Sequence, residues 1–231
     1  MLRALLDRLT PALPSECAVC RAWPAPVLCE ACVARFAQPR ARCRSCALPV
    51  PQGVERCGAC IKQEPPLDLC LAAVAYEYPW SGLIARYKFG GSPGWSQALA
   101  LLMRSTPWAE PALDAADRVL PMPLSHQRLR QRGFNQALEL ARQLGPARVD
   151  AGLLLRLRDT PAQSALPRAT RLRNVQDAFG VASGRERDIV GRRIVLIDDV
   201  MTSGASLYTA AQALHAAGAA HITALVLART E

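Results

Sequence analysis

The sequence has few lysines and few aromatic rings. Of its 28 Lys+Arg residues only Lys62 and Lys88 are lysine, and aromatics are 5% of the chain. Neither lysine follows a glycine, so the Gly-x-x-x-x-Gly-Lys-[Ser/Thr] loop of the P-loop NTPases is missing. Few rings exclude an extensive base-stacking platform. No uncharged apolar run reaches the roughly 18 residues of a membrane-spanning helix. The opening Met-Leu-Arg-Ala-Leu-Leu-Asp-Arg-Leu-Thr places charges inside its apolar stretch. It reads as a short amphipathic helix over residues 1–14 rather than a signal peptide, and the expected location is the cytoplasm, where thiols stay reduced.

What remains is ample for a core. The chain has 231 residues, 51% of them hydrophobic, and a formal net charge of +9 carried mainly by arginine. That length suits one standard domain plus a small module. A basic, arginine-rich chain prefers anionic partners, because guanidinium groups match phosphate bidentately.

One stretch organises the rest. Residues 194–197, Ile-Val-Leu-Ile, form an unbroken apolar run that predicts a strand buried on both faces. Two carboxylates, Asp198 and Asp199, end it. Thr202, Ser203, Gly204, Ala205 and Ser206 follow, and from about Ala205 the apolar period turns helical. In an open α/β sheet, ligands bind at the carboxyl ends of strands. Amides at a helix N-terminus attract an anion such as phosphate, and paired carboxylates suit sugar hydroxyls or Mg²⁺.

A second strand, loop and helix unit spans residues 119–144. Its loop carries Arg128, Arg130 and Arg132, too clustered to be stable without counter-anions; a diphosphate fits. Between residues 121 and 175 ten arginines face Glu139, Asp150 and Asp159, so most of the positive charge sits in this quarter of the chain. Lys88, at the end of a helix predicted over residues 80–89, either meets a phosphate or complements the helix dipole. His126 has a suitable intrinsic pKa for a general base, but no partner is identifiable; His215 and His221 read as structural.

Eight of nine cysteines form four Cys-x-x-Cys pairs: Cys17/Cys20, Cys29/Cys32, Cys43/Cys46 and Cys57/Cys60. Two such knuckles complete a tetrahedral thiolate shell, so four predict two structural Zn²⁺ sites. Sequential pairing of the knuckles is the simpler arrangement, and an interleaved cross-brace is the alternative. The metal would supply stability that a short Pro-, Ala- and Arg-rich segment lacks. Cys70 lies in a strand-like run and reads as a core thiol. The expected organisation is the helix over residues 1–14, a double zinc module over 15–62, a stiff boundary at Glu64-Pro65-Pro66, and a catalytic domain over 67–231. Arginines beside the knuckles, with Trp23 and Phe36, suit single-stranded nucleic acid or an ordinary solvated surface.

The stretch over residues 192–207 resembles the phosphoribosyl-diphosphate (PRPP) motif of type I phosphoribosyltransferases, with Ser203 and Ser206 where many members have threonine. The resemblance implies that Asp198 and Asp199 hold the ribose hydroxyls, that residues 202–206 hold the 5′-phosphate, and that Mg²⁺ accompanies the diphosphate. The run Pro121-Met122-Pro123-Leu124, then Arg128-Leu129-Arg130-Gln131-Arg132-Gly133-Phe134-Asn135-Gln136, is similar to the signature of the ComF family of competence-associated phosphoribosyltransferase-like proteins. Members usually carry Pro-Val-Pro-Leu there. Residues 158–164, followed by Leu166, Arg171, Asn174, Ala178 and Phe179, resemble the hood that closes over substrate.

The family resemblance implies an α/β fold: a parallel sheet with helices on both faces, preceded by a small zinc-ribbon module with four-cysteine sites. It implies PRPP or a related phosphosugar as ligand, and a role in uptake of transforming DNA on the cytoplasmic side, with the uptake machinery as partner. Two functions follow: a pentosyl transfer from PRPP, or single-stranded DNA binding by a non-enzymatic competence factor that keeps a vestigial phosphosugar site. No base-specific acceptor pocket is recognisable.

Overall fold

A computed structural model of the chain describes residues 15–90, 93–158 and 178–231. The helix expected over residues 1–14 and most of the hood segment lie outside them. The chain divides into two compact units, Met1–Gln38 and Pro39–Glu231.

In the smaller unit, Cys17, Cys20, Cys29 and Cys32 surround one point, and helix α1 (Glu30–Phe36) starts on the second knuckle. Local backbone bonds close it: the Cys17 N–H donates to the Ala22 carbonyl and the Ala25 N–H to that of Ser15.

The larger unit is built on a four-stranded parallel sheet. Its strands are β1 (Leu69–Ala75), β2 (Arg118–Pro121), β5 (Arg193–Met201) and β6 (His221–Arg229), in the order β1-β6-β5-β2. Every β6 position after His221 is buried, which requires cover on both faces. Helix α8 (Ala205–Ala216) sends Leu207, Ala210, Ala211 and Leu214 into one core with Ile222, Ala224 and Val226. Helices α4 (Ser96–Arg104) and α7 (Gln136–Leu144) pack on each other and on the strands. A separate antiparallel pair joins β3 (Leu154–Arg156) to β4 (Phe179–Val181).

Two sequence expectations change. First, β5 does not stop at Ile197; it runs through both aspartates to Met201. β6 is long enough to offer ladder partners throughout, with Asp198 opposite Val226 and Met201 opposite Arg229. Second, the segment expected as a basic loop is a helix, α6 (His126–Arg132). Ser125 caps it by accepting the Arg128 N–H at 3.2 Å, and Gly133 ends it at φ 78°.

The compact-unit division falls after Gln38. The second cysteine cluster, with the short helix α2 (Gly58–Lys62), belongs to the larger unit. Cys43, Cys46 and Cys60 share the apolar core with Cys70 and Met201. The Cys70 N–H donates to the Arg44 carbonyl at 2.6 Å. The segment after Pro66 is fastened to the sheet. Leu67 is buried, and Asp68 and Ile222 exchange two hydrogen bonds, one at 3.0 Å and one at 2.7 Å.

Candidate phosphosugar site and metal centres

At the carboxyl end of β5 the strand period sends Asp198 and Asp199 to opposite faces. Asp199 is buried and meets cations: Lys88 Nζ lies 2.9 Å from Oδ1, and an Arg132 guanidinium nitrogen lies 4.0 Å from Oδ2. Lys88 comes from the last turn of α3 (Trp80–Phe89). Asp198 is half-buried and lines a small pocket with Thr202, Gly204, Ala205 and Ser206. Burial, and then the charge of Asp199, push its carboxyl up to about 7, while Lys88 pulls the other way.

The pocket floor depends on Gly204. It sits at φ +82°, and a Cβ there would lie 2.6 Å from both Met201 Cε and Tyr208 Cζ. Only glycine gives the loop this turn and leaves its backbone open to a ligand. Ser203 Oγ accepts the Ala205 N–H at 3.4 Å, and α8 begins at Ala205, aiming its N-terminal amides at the pocket region.

The Arg-Gly-Phe-Asn-Gln run supplies the other wall. Asn135 caps α7 by accepting the Ala137 and Leu138 N–H groups, and its Nδ2 donates to the Met122 carbonyl just past β2. Gln136, 1% exposed, accepts from Arg132 at 2.8 Å and so aims that guanidinium at Asp199. Phe134 meets the Tyr87 ring edge-on at 5.6 Å. Arg132 also lies 5.3 Å over the ring of Phe89, which is 70% exposed.

Of the predicted residues, Asp198, Asp199, Lys88, Arg132 and the 202–206 loop converge on this strand end. Arg128 shares the α6 side of Arg132, one turn away, whereas Arg130 is exposed on another side. Arginines spaced two apart cannot share one helical face, so the helix does not bring all three to one side. His126 is exposed.

Sequence reasoning gave no role to Gln136, Asn135, Phe89 or Arg229. The first two stand in the quoted signature run, where a polar pair opening an amphipathic helix signals a cap. Arg229 ends the long apolar run of β6 and is 3% exposed. Its Nε donates to the Cys46 carbonyl at 2.8 Å, and its terminal nitrogen to the carbonyls of Met201, at 3.1 Å, and of Thr202.

The knuckles pair sequentially: Cys17, Cys20, Cys29 and Cys32 form one cluster, and Cys43, Cys46, Cys57 and Cys60 the other. Neighbouring sulfurs lie 3.7 and 3.9 Å apart in the first and 3.6 Å in the second. A tetrahedral Zn–S shell of about 2.3 Å bonds has edges of about 3.8 Å, so both donor sets fit zinc. Knuckle amides favour thiolates. Against burial, which raises it, amides around Cys17 bring that thiol down to about 6. Those of Cys57 and Ser45 bring Cys43 down to about 7. Cys70 is a buried thiol 3.5 Å from Met201 Sδ, and burial pushes it up to about 12.

Among the described residues no helix is long and apolar enough to cross a membrane. Residues 130–231 match the phosphoribosyl transferase domain family. The chain is 31% identical over 214 residues to the DNA utilization protein YhgH of Escherichia coli O6:H1, covering 88% of this chain and 90% of that one. It is 32% identical over 194 residues to Competence protein F of Haemophilus influenzae, with 81% and 84% covered. To Competence protein ComFC of Bacillus subtilis it is 32% identical over 148 residues, with 64% and 58% covered.

Proposed function

The chain belongs to the ComF family of competence-associated, phosphoribosyltransferase-like proteins, and on that premise we propose that it binds PRPP with Mg²⁺ at residues 198–206 and acts in DNA uptake on the cytoplasmic side. One observation carries the ligand reading. An acidic pair, two cations and a glycine-floored loop at a helix N-terminus meet at one end of a parallel sheet. Phosphate would occupy the 202–206 loop, and the ribose hydroxyls would face Asp198 and Asp199.

In the free protein Lys88 and Arg132 are held on Asp199. Diphosphate would draw them off, and the ribose hydroxyls would take their place on the carboxylate. Mg²⁺ requires hard oxygen donors. The Asp198 carboxylate, facing the pocket, fits; the ion would neutralise charge on the diphosphate. In a transfer reaction the anomeric C–O bond to diphosphate breaks as a bond to the acceptor nucleophile forms. Lys88 and Arg132 would stabilise the departing charge, and the loop would fix the sugar.

The test is thermal stabilisation by PRPP with Mg²⁺. At 100 times the dissociation constant the gain is about 2.7 kcal/mol. For a chain of this length that is roughly 5–10 °C in melting temperature. Asp198→Asn with Asp199→Asn should lose most of it. No shift at millimolar PRPP in the wild type, or an equal shift in the double variant, defeats the proposal.

A second reading, single-stranded DNA binding, is favoured by the exposed Phe89 ring beside Arg132 at the site mouth. Affinity for a mixed-sequence oligonucleotide should fall with salt, with a slope of about −0.7 per phosphate neutralised. Phe89→Ala should weaken it several-fold while leaving the PRPP shift intact. A salt-independent affinity, or none, removes this reading.

A further inference from the structure

Arg229 is a buried cation that the site chemistry above does not use. Its hydrogen bonds go to the carbonyls of Cys46, Met201, Thr202 and Thr230 and to the Thr230 hydroxyl, all neutral groups. Among the described residues no carboxylate pairs with it; Glu231, two residues on, pairs with Arg40 and Arg42 instead. A buried charge without an opposite charge nearby is costly. One candidate counter-charge lies next to its first acceptor. Cys46 belongs to the second four-cysteine cluster, and four thiolates around Zn²⁺ carry a net charge of −2.

We propose that Arg229 is the counter-cation of the second metal centre and the positioning residue of the anion loop, so that zinc at Cys43, Cys46, Cys57 and Cys60 sets the order of residues 202–206. The guanidinium ties the two parts directly. Its Nε holds the knuckle at Cys46, and its NH1 holds the carbonyls of Met201 and Thr202 where β5 gives way to the loop. The planar fork fixes both at once, which a lysine cannot do. Met201 adds a second tie, since its sulfur accepts the Cys70 thiol and its Cε packs beneath Gly204. When the metal leaves as Zn²⁺ and the four thiolates take up protons from water, the −2 charge is gone, the guanidinium loses its compensation, and the loop carbonyls lose their anchor. The inference rests on zinc occupying the second cluster, and it adds a means of regulating the phosphosugar site.

The experiment uses the full chain carrying Cys17→Ser and Cys20→Ser, so that only the second centre holds metal. Zinc release to a chromogenic chelator is followed for Arg229, Arg229→Lys and Arg229→Met, with amide hydrogen exchange at residues 202–206. With Arg229 in place, stripping the zinc should raise exchange in the loop. Arg229→Met should release zinc at least about tenfold faster and show raised loop exchange with zinc still bound. Arg229→Lys keeps the charge but not the fork; it should fall between the two in release rate and serves if the Met variant does not fold. PRPP with Mg²⁺, or inorganic phosphate, should slow release about fivefold or more when Arg229 is present.

Loop exchange that ignores zinc removal overturns the proposal. So does a Met or Lys variant that releases zinc as slowly as Arg229. If exchange follows zinc while neither phosphate compound alters release, the tie stands and the anion reading of the loop is what fails.

Discussion

The two four-cysteine clusters share a motif and a thiol geometry, yet they sit in different surroundings. The first is closed by its own backbone bonds within Met1–Gln38, beside an exposed Trp23 and an exposed Cys20. The second has Cys43, Cys46 and Cys60 buried in the apolar core of the sheet unit, with Arg44 bonded to β1 and Cys46 bonded to Arg229. A Cys-x-x-Cys pair therefore states what it ligates but not what the metal supports. In the first cluster zinc would hold a small module together. In the second it would hold one wall of an α/β domain.

The sharpest way to break that contrast is to remove one ligand from each. Cys57→Ser should unseat the second centre and weaken the whole larger unit. Loss of a structural metal belongs among the few changes costing more than about 4 kcal/mol. For a chain of this size that lowers the main melting transition by roughly 10 °C or more. Cys17→Ser should leave that transition within about 1 kcal/mol and abolish only the signal of the smaller unit. Calorimetry of both variants decides; equal losses in the main transition would erase the distinction.

A smaller effect is expected at the loop. Gly204→Ala meets two obstacles, a positive φ and a Cβ 2.6 Å from Met201 Cε and Tyr208 Cζ. Together they should cost about 2–4 kcal/mol. Gly133→Ala has a similar φ of +78° but open space around it, and should cost about 1 kcal/mol. Denaturant midpoints separate the two. Because Met201 touches both Gly204 and the core of the second centre, Gly204→Ala should also speed zinc loss from that centre and not from the first. It follows that a bulky residue at Gly204 is a poor probe of phosphate binding alone, since the apo fold suffers too.

Much of this was legible in the chain. The buried β5 run, the small-residue turn and the start of α8 follow from residue type and period alone. So does the metal spacing, because a knuckle is a local structure. What was hidden depends on pairing between distant segments. Nothing before Ile197 reveals that β6 continues to Arg229 and carries β5 past its aspartates, or that this sends Asp198 and Asp199 to opposite faces. Alternating arginines read as a loop because they have no apolar period. Yet Ser125 and Gly133, placed as N-cap and C-terminal stop, could have marked a two-turn helix. Just past Pro65-Pro66, Leu67 is buried and Asp68 bonds β6, so the sheet unit is already fastened at the residues where its domain was expected to start.

The smallest effect, and the finest test of the contrast, is in pH. Asp198 is pushed from its ordinary 3.8 up to about 7, first by burial and then by Asp199. An acid whose folded pKa is raised stabilises the fold fully below its ordinary value. That contribution is lost as pH rises through about 7. Between pH 5 and pH 8 the strand end should therefore weaken. The metal centres run the other way: their thiolates are protonated and metal is lost as pH falls, with Cys43 held near about 7. Wild-type melting between these limits is the sum of opposed slopes. Asp198→Asn removes one of them. At pH 8 the variant should melt about 2–4 °C higher than wild type, taking a gain of about 1 kcal/mol. Below about pH 4, where Asp198 is neutral folded and unfolded alike, the two should coincide, and the gap should open steadily from there to about pH 7. What remains in the variant rises with pH, from the thiolates and from His221, whose burial holds its pKa below the usual value; the thiolate share should leave the main transition when Cys57→Ser is added but persist when Cys17→Ser is added. A variant that tracks wild type across the range would mean that Asp198 is an ordinary solvated carboxylate.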